Sequence, residues 1–310
     1  MIRGIYRKTL VSAVALCLLE LAPAGVMAGD AYTWTQIVIP NVTVATAFGP
    51  NNLGQVAIID ATGNVSGIYQ HGRFTRLPNP PAGYRVSAYG INDGGVIVGF
   101  ATTTSDTHEQ AFILDHGQYR FFSWSGWQNT EARSIGPSGL VVGISYQDDQ
   151  SEWAGFLYDP SSATFTDVTP PGSIYTIAQG INRFGRISGS GQDDSIGRYA
   201  FIWQQSSATI GTSEPMPFVE RVQTWPDTFA NARGINDDGV IVGWTHSGGQ
   251  TVGFVGSASR GYQFLVPPGG EVAGVSTYCQ GINNARQVGC VIQDANAKPI
   301  AAFLGSPQDY

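Results

Sequence analysis

Apolar and polar positions in this chain alternate in short bursts, not in helical waves. The clearest burst is Gly234–Gly243, GINDDGVIVG, an Asn-Asp-x-Gly turn feeding a run that is apolar at alternate or consecutive positions. Related stretches begin at Gly49 (GPNNLGQVAI), Gly90 (GINDGGVIVG), Ser134 (SIGPSGLVVG), Gly180 (GINRFGRISG) and Gly281 (GINNARQVGC). Each copy reads as four short strands. The first is rich in small residues, with Ala47, Ala88, Ala132, Ala178 and Ala232 two places before the aligned start. The second is the GVIVG-type run. The third carries an Ala/Gly-Phe step (Ala111-Phe112, Gly155-Phe156, Ala200-Phe201, Gly253-Phe254, Ala302-Phe303), and the fourth is aromatic, as in Tyr119–Phe122, Thr164–Val168 and Tyr262–Val266. The turn between the first two strands needs a residue tolerant of positive φ, which its Gly supplies. No segment longer than ten residues shows a 3.6-residue apolar period, so almost no helix is expected.

A period of roughly 45 residues built from short strands is the signature of a toroidal array of blades. The expected fold is therefore all-β: a six-bladed propeller of four-stranded blades. The ends of the chain support closure of the ring. After Phe303 only Leu304–Tyr310 remain, too few for a fourth strand, while Tyr32–Ile39 (YTWTQIVI) belongs to no copy of its own. Trp34 precedes Ala47 by the spacing that separates Phe165 from Ala178, so the N-terminal strand is expected to complete the sixth blade and remove both sheet edges. One connection is long. Its excess, Glu214–Thr228, is expected to follow a fourth strand near Ile210 and to open on the face of the loops between second and third strands.

The first residues change the picture of location. Arg3, Arg7 and Lys8 precede the apolar run Thr9–Leu19, and Val26-Met27-Ala28 offers a small-residue cleavage site. Residues 1–28 read as a signal peptide and 29–310 as a single repeat domain, secreted or periplasmic after cleavage near Ala28. The apolar run falls short of the roughly 20 residues of a membrane span, and Leu16 before Cys17 argues against a lipoprotein signal. The formal net charge is −7, and loss of the leader leaves Lys298 as the sole lysine. Such a chain is expected to be a poor binder of nucleic acid and of anionic membranes, since both require clustered Lys and Arg; no nucleic-acid partner and no membrane span are expected.

Cys279 and Cys290 occupy the Ala and the final Gly positions of the sixth copy, where four other copies pair Ala88 with Gly99, Ala132 with Gly143, Ala178 with Gly189 and Ala232 with Gly243. If the hairpin loop between them is even, they face one another with Cα atoms about 4.5–5.5 Å apart, within reach of a disulfide. An exported isolated pair is normally oxidised.

The repeat resembles the HAF family of bacterial extracellular repeats, whose pattern is roughly A-x-GIN-x-x-G-x-x-VG followed by His-Ala-Phe. The resemblance covers nearly all of residues 29–310, but Gln110, Ala154, Tyr199, Val252 and Ala301 stand where the family has its His. It implies an exported β-rich repeat protein and no catalytic residue. The chain itself holds no G-x-S-x-G elbow and no H-E-x-x-H motif, and His71, His108, His116 and His246 are scattered over different copies. The candidates for ligand contact are Trp124, Trp127 and Trp225, whose rings could stack on sugars, and the acidic pairs Asp148-Asp149 and Asp193-Asp194, which with Asp106, Glu109 and Asp294 give one rim an acidic character. No cofactor is expected. Calcium is the metal whose oxygen preference those acids would match, although the D-x-D-x-D-G spacing is missing. The recurrent Asn92-Asp93, Asn236-Asp237 and Asn283-Asn284 are explained as turn formers. The reading that follows is a non-enzymatic recognition or scaffold propeller binding an extracellular glycan or protein through one rim. A carbohydrate-active hydrolase or lyase using rim carboxylates, and a structural envelope protein, stand as alternatives.

Overall fold

Certain positions in the repeat have no room for a side chain, and the ring is built around them. A Cβ placed on Gly243 would lie 1.9 Å from the carbonyl oxygen of Asn231, and one on Gly143 would lie 2.0 Å from that of Glu131. The first Gly of the motif is hemmed in by the neighbouring blade. A Cβ on Gly180 would meet the Cα of Gly234 at 2.9 Å, one on Gly234 the Cα of Gly281 at 2.9 Å, and one on Gly281 the backbone nitrogen of Gly49 at 2.8 Å. The innermost strands of successive blades therefore touch backbone to backbone at these glycines. The small residues two places earlier, Ala47, Ala88, Ala132, Ala178 and Ala232, are fully buried.

The computed structural model describes residues 32–63, 65–103, 105–194, 197–204, 218–222 (backbone only) and 230–308. Its strands are β1 (Tyr32–Ile37), then β2 (Val44–Phe48), β3 (Val56–Asp60), β4 (Ser66–Gln70) and β5 (Arg73–Arg76) in the first blade. The second blade holds β6 (Tyr84–Ile91), β7 (Ile97–Thr103), β8 (Gln110–Asp115) and β9 (Gln118–Phe122). The third holds β10 (Asn129–Ile135), β11 (Val141–Tyr146), β12 (Trp153–Asp159) and β13 (Thr164–Asp167). The fourth holds β14 (Tyr175–Ile181), β15 (Ile187–Asp193), β16 (Gly197–Gln204) and β17 (Phe218–Val222). The fifth holds β18 (Ala230–Ile235), β19 (Ile241–Ser247), β20 (Gln250–Ser257) and β21 (Gly261–Leu265), and the sixth β22 (Ser276–Ile282), β23 (Val288–Gln293) and β24 (Pro299–Pro307). Each blade is a four-stranded antiparallel sheet, and in the sixth the order is β1-β24-β23-β22. The protein is a six-bladed β-propeller, and the N-terminal strand closes its last blade as expected. Trp34 pairs with Gly305, packing edge-on against Phe303 with ring centroids 6.3 Å apart.

The core lies between blades, because each sheet has two faces and each must be covered by its neighbour. The third-strand phenylalanines Phe112, Phe156, Phe201 and Phe254 are fully buried there, each beside the first strand of its own or the next blade.

One expected element is misplaced. The fourth strand of the fourth blade is β17, with Gln204 paired to Phe218; of the expected long loop, residues 205–217 and 223–229 lie outside the described residues. The hydrophobic step Phe218-Val219, not Ile210, supplies that strand. Residues 1–28, expected from the sequence to be a signal peptide, lie outside the described residues.

The Asn of the GIN motif does more than shape its own turn. In each turn its Oδ1 accepts from the backbone nitrogen four residues on: Gln55 for Asn51, Val96 for Asn92, Arg186 for Asn182, Val240 for Asn236 and Gln287 for Asn283. Its Nδ2 donates to the next turn of the ring. Asn51 reaches the carbonyl of Asn92 (3.0 Å), Asn92 that of Gly136 (3.2 Å), Asn182 that of Asn236 (3.0 Å), Asn236 that of Asn283 (3.3 Å), and Asn283 that of Asn51 (3.0 Å). Turn formation thus accounts for only half of this residue's work. The circuit has one gap, at the third blade, where Gly136 accepts a bond but has no side chain to pass it on.

Cys279 and Cys290 form a disulfide with Cα atoms 4.0 Å apart. They are direct cross-strand partners although the loop that separates the strands, residues 283–287, is odd in length. A bulge at Gln280, between Cys279 and Gly281, adds the compensating residue.

Two outcomes follow from this architecture. Cys279→Ala/Cys290→Gly, which restores the small pair found in other blades, should cost about 3 kcal/mol, read as a fall of several degrees in Tm. An unchanged Tm would mean the crosslink constrains nothing. Gly136→Asn should complete the circuit and stabilise by about 1 kcal/mol, because a Cβ there meets nothing nearer than Ile181 Cγ2 at 3.4 Å. Urea midpoints would register the gain, and a loss would show that the gap is structurally required.

Candidate functional site

The bulge at Gln280 recurs. Register shifts fall between Ala88 and Gly90, Ala132 and Ser134, Ala178 and Gly180, and Ala232 and Gly234. In each case the extra residue lies just before the crowded glycine position, and its side chain is re-aimed to the axis. Those residues are Tyr89, Arg133, Gln179, Arg233 and Gln280, joined by Phe48 from the first blade. Together they line an axial cavity of about 120 Å³ whose mouth is the circle of Asn turns.

Charges are concentrated here that the repeat does not require. Arg133 Nη2 lies 2.6 Å from Glu131 Oε2 in a close ion contact whose angles are not those of a hydrogen bond, and the Arg133 guanidinium covers the Tyr89 ring at 4.5 Å. Arg233 donates through Nε to Gln280 Oε1 at 2.7 Å. Burial, with the like charge of Arg133 behind it, pushes Arg233 down to about 10. Burial also raises the Tyr89 phenol to about 12. Toward the other face, Glu109 accepts a hydrogen bond from Tyr146 Oη at 2.7 Å and shares one with Glu131. Burial first, and the neighbouring Glu131 second, push Glu109 up to about 8, so it is protonated at neutral pH. Two carboxyl groups this close cannot both ionise in a dry site.

Tyr146 carries the site outward. Its ring stacks on Trp153 at 4.7 Å, Trp153 meets Tyr175 at 4.9 Å, and Arg198 covers Tyr175 at 4.9 Å. These half-buried rings stand at strand ends of the third and fourth blades, on the face of the loops between second and third strands.

The residues singled out from sequence are placed differently. Asp148 accepts from Asn129 Nδ2 (2.7 Å) and bonds His108 Nε2 (2.8 Å), while His108 Nδ1 lies 2.7 Å from Asp106. Asp148 thus staples two rim loops, and these bonds hold its carboxyl below the usual range while raising His108. Asp149 accepts from the Ser151 backbone in its own turn. Asp193 is buried at the end of β15 and Asp194 is exposed beside it. Trp124 lies parallel to Phe165 at 5.4 Å between blades and 5.7 Å from Trp127, both half-buried. Trp225 lies outside the described residues. Among the described residues, no three His, Cys, Asp or Glu side chains converge as metal ligands, and no helix is long and apolar enough to cross a membrane. The axial residues were legible only as an anomaly: polar side chains in the position between a buried Ala and the crowded glycine, deep in a core strand.

The fold and its axial funnel define a closed propeller with a polar centre. Comparison with solved structures agrees on the fold. A candidate gluconolactonase superposes with a TM-score of 0.53 at 10% identity, over 92% of this chain and 93% of that one. The β-propeller domain of the trilobed protease from Pyrococcus furiosus, described as having an open velcro topology, gives 0.44 at 10% identity over 86% and 97%. YCF48 from Cyanidioschyzon merolae gives 0.47 at 10% over 88% and 98%. No family model matches the chain, and no curated protein matches it. At such identities the likeness concerns fold alone.

The Glu109 proton has a measurable consequence. Between about pH 4.5 and 8 the folded protein holds a proton that an unfolded glutamate has released. Stability therefore falls as pH rises through that window, with a limiting slope of about 1.4 kcal/mol per unit. Glu109→Gln should flatten the decline in denaturation midpoints from pH 5 to 8.5. Parallel curves for the two proteins would place the proton elsewhere.

Proposed function

We propose that this chain is an exported, non-enzymatic recognition propeller of the HAF-repeat type that binds an extracellular glycan on the face carrying Tyr146, Trp153 and Tyr175. The observation that carries this reading is the aromatic ladder itself. Three half-exposed rings are held at strand ends on a rigid scaffold, and the Tyr146 hydroxyl bonds the half-buried Glu109 carboxyl. Sugar rings present C–H faces to aromatic rings and hydroxyls to polar groups, which this surface offers side by side. Export is supported by the charged-then-apolar leader and by the Cys279–Cys290 disulfide.

A second reading has one specific observation in its favour. Glu109 is a carboxyl held protonated at neutral pH beside an ion-paired carboxylate, the form a general acid needs. Its geometry counts against glycoside hydrolysis, because the two carboxyls are in hydrogen-bond contact and not roughly 5–9 Å apart with a sugar between them.

A thermal-shift panel of neutral and acidic polysaccharides should give a Tm increase with one sugar class, lost in Trp153→Ala. Reducing-sugar assays in the same wells should stay at background. Absence of any shift across the panel would remove the glycan reading, and sugar release that disappears in Glu109→Gln would replace recognition with hydrolysis.

A further inference from the structure

The axial cavity, away from the aromatic ladder, is lined by buried donors that lack matching acceptors. Arg233 forms no ion pair among the described residues, and its hydrogen bond goes to a neutral amide oxygen. It is surrounded by protein yet keeps accessible surface, which is the wall of the axial cavity. Gln179 is only 4% exposed, lines the same cavity, and its Nε2 has no partner. Arg133 Nε is buried and equally without a partner. A buried cation and buried donors left unmatched are costly, and all three residues line the same cavity.

We propose that this cavity is a binding site for a small monocarboxylate, held by Arg233 and Arg133 with Gln179 as an additional donor. Charge count selects the valence. Arg133 is matched by the Glu131 carboxylate, whereas Arg233 has no carboxylate within ion-pair distance among the described residues and bonds only Gln280, so one negative charge completes the cluster. Size limits the bulk: a space of about 120 Å³, somewhat below the roughly 150 Å³ cavity that takes up benzene, has room for an acetate- or lactate-sized acid or for the carboxylate end of a uronic acid. Planarity selects the carboxylate, because a guanidinium fork pairs with it through two parallel bonds. The mouth filters out polyanions. Asp93 accepts from Asn52 at its outer edge, and Asp237 accepts from Arg183 and Asn284.

The site lies on the face away from Trp153, so it stands or falls apart from the glycan reading. Isothermal titration of the chain, freed of its leader, with acetate, lactate and glucuronate should give saturable one-to-one binding, with acetamide and phosphate inactive. Glucuronate binding far more tightly than acetate or lactate would name an acidic sugar as the source, and the reverse order a free small acid. Arg233→Gln should weaken binding at least tenfold while raising the Tm of the ligand-free protein, because a buried cation is removed. Gln179→Leu should weaken it severalfold, and Trp153→Ala should leave it unchanged. Binding of acetamide equal to acetate, no carboxylate heat at all, or full affinity in both Arg233→Gln and Gln179→Leu would overturn the proposal.

Discussion

The structure depends on how closely six backbones can approach one axis. At Gly180, Gly234 and Gly281 the innermost strands meet with no space for a Cβ, and the Asn that follows two residues later converts that contact into hydrogen bonds running around the ring. Steric minimum and polar satisfaction are thus met by adjacent residues of one short motif. The buried turn carbonyls, which would otherwise lack partners, are accepted into a circuit that only a closed ring can form. Closure by β1 against β24 is the same constraint seen from the outside: without it, the sixth blade would have three strands where the other five have four.

Crowding at the axis also creates the site. In five blades a bulge takes the residue before the crowded position out of regular register and turns it inward, whereas Phe48 of the first blade stays paired with Ala57. Tyr89, Arg133, Gln179, Arg233 and Gln280 share this geometry but not their chemistry. The scaffold is therefore constant while the axial side chains vary from blade to blade, the division of labour that suits a binding protein. Burial then acts on what the bulges collect. It raises the Glu109 carboxyl and leaves Arg233 bonded only to a neutral amide oxygen.

The rim illustrates why surface motifs mislead. Asp148, conspicuous beside Asp149, ties His108 and Asn129 together across two loops. Trp124 fills the gap between blades against Phe165. Loop acids and tryptophans are used first to hold loops and blades in place. The half-buried rings of Tyr146, Trp153 and Tyr175 stand at strand ends and pack on one another across the third and fourth blades.

Blade number, strand order, closure by Tyr32–Ile37 and the Cys279–Cys290 pairing were all determined by the sequence, because each follows from spacing within one repeat or from comparing repeats. The disulfide was reached by the right alignment although the loop is odd, since the bulge at Gln280 was hidden in an unremarkable Gln-Gly step. The fourth strand of the fourth blade was misplaced for a related reason: residues between Gln204 and Phe218 break the repeat, and pairing with β16 alone chose β17. The axial cluster belongs to tertiary structure entirely. Tyr89, Arg133 and Arg233 come from different repeats and meet only when the ring closes, and whether Glu109 keeps a proton depends on Glu131 beside it and on the exclusion of water. Periodicity is a local property that a chain records along its length; convergence at an axis, and the charge state it enforces, exist only in the folded ring.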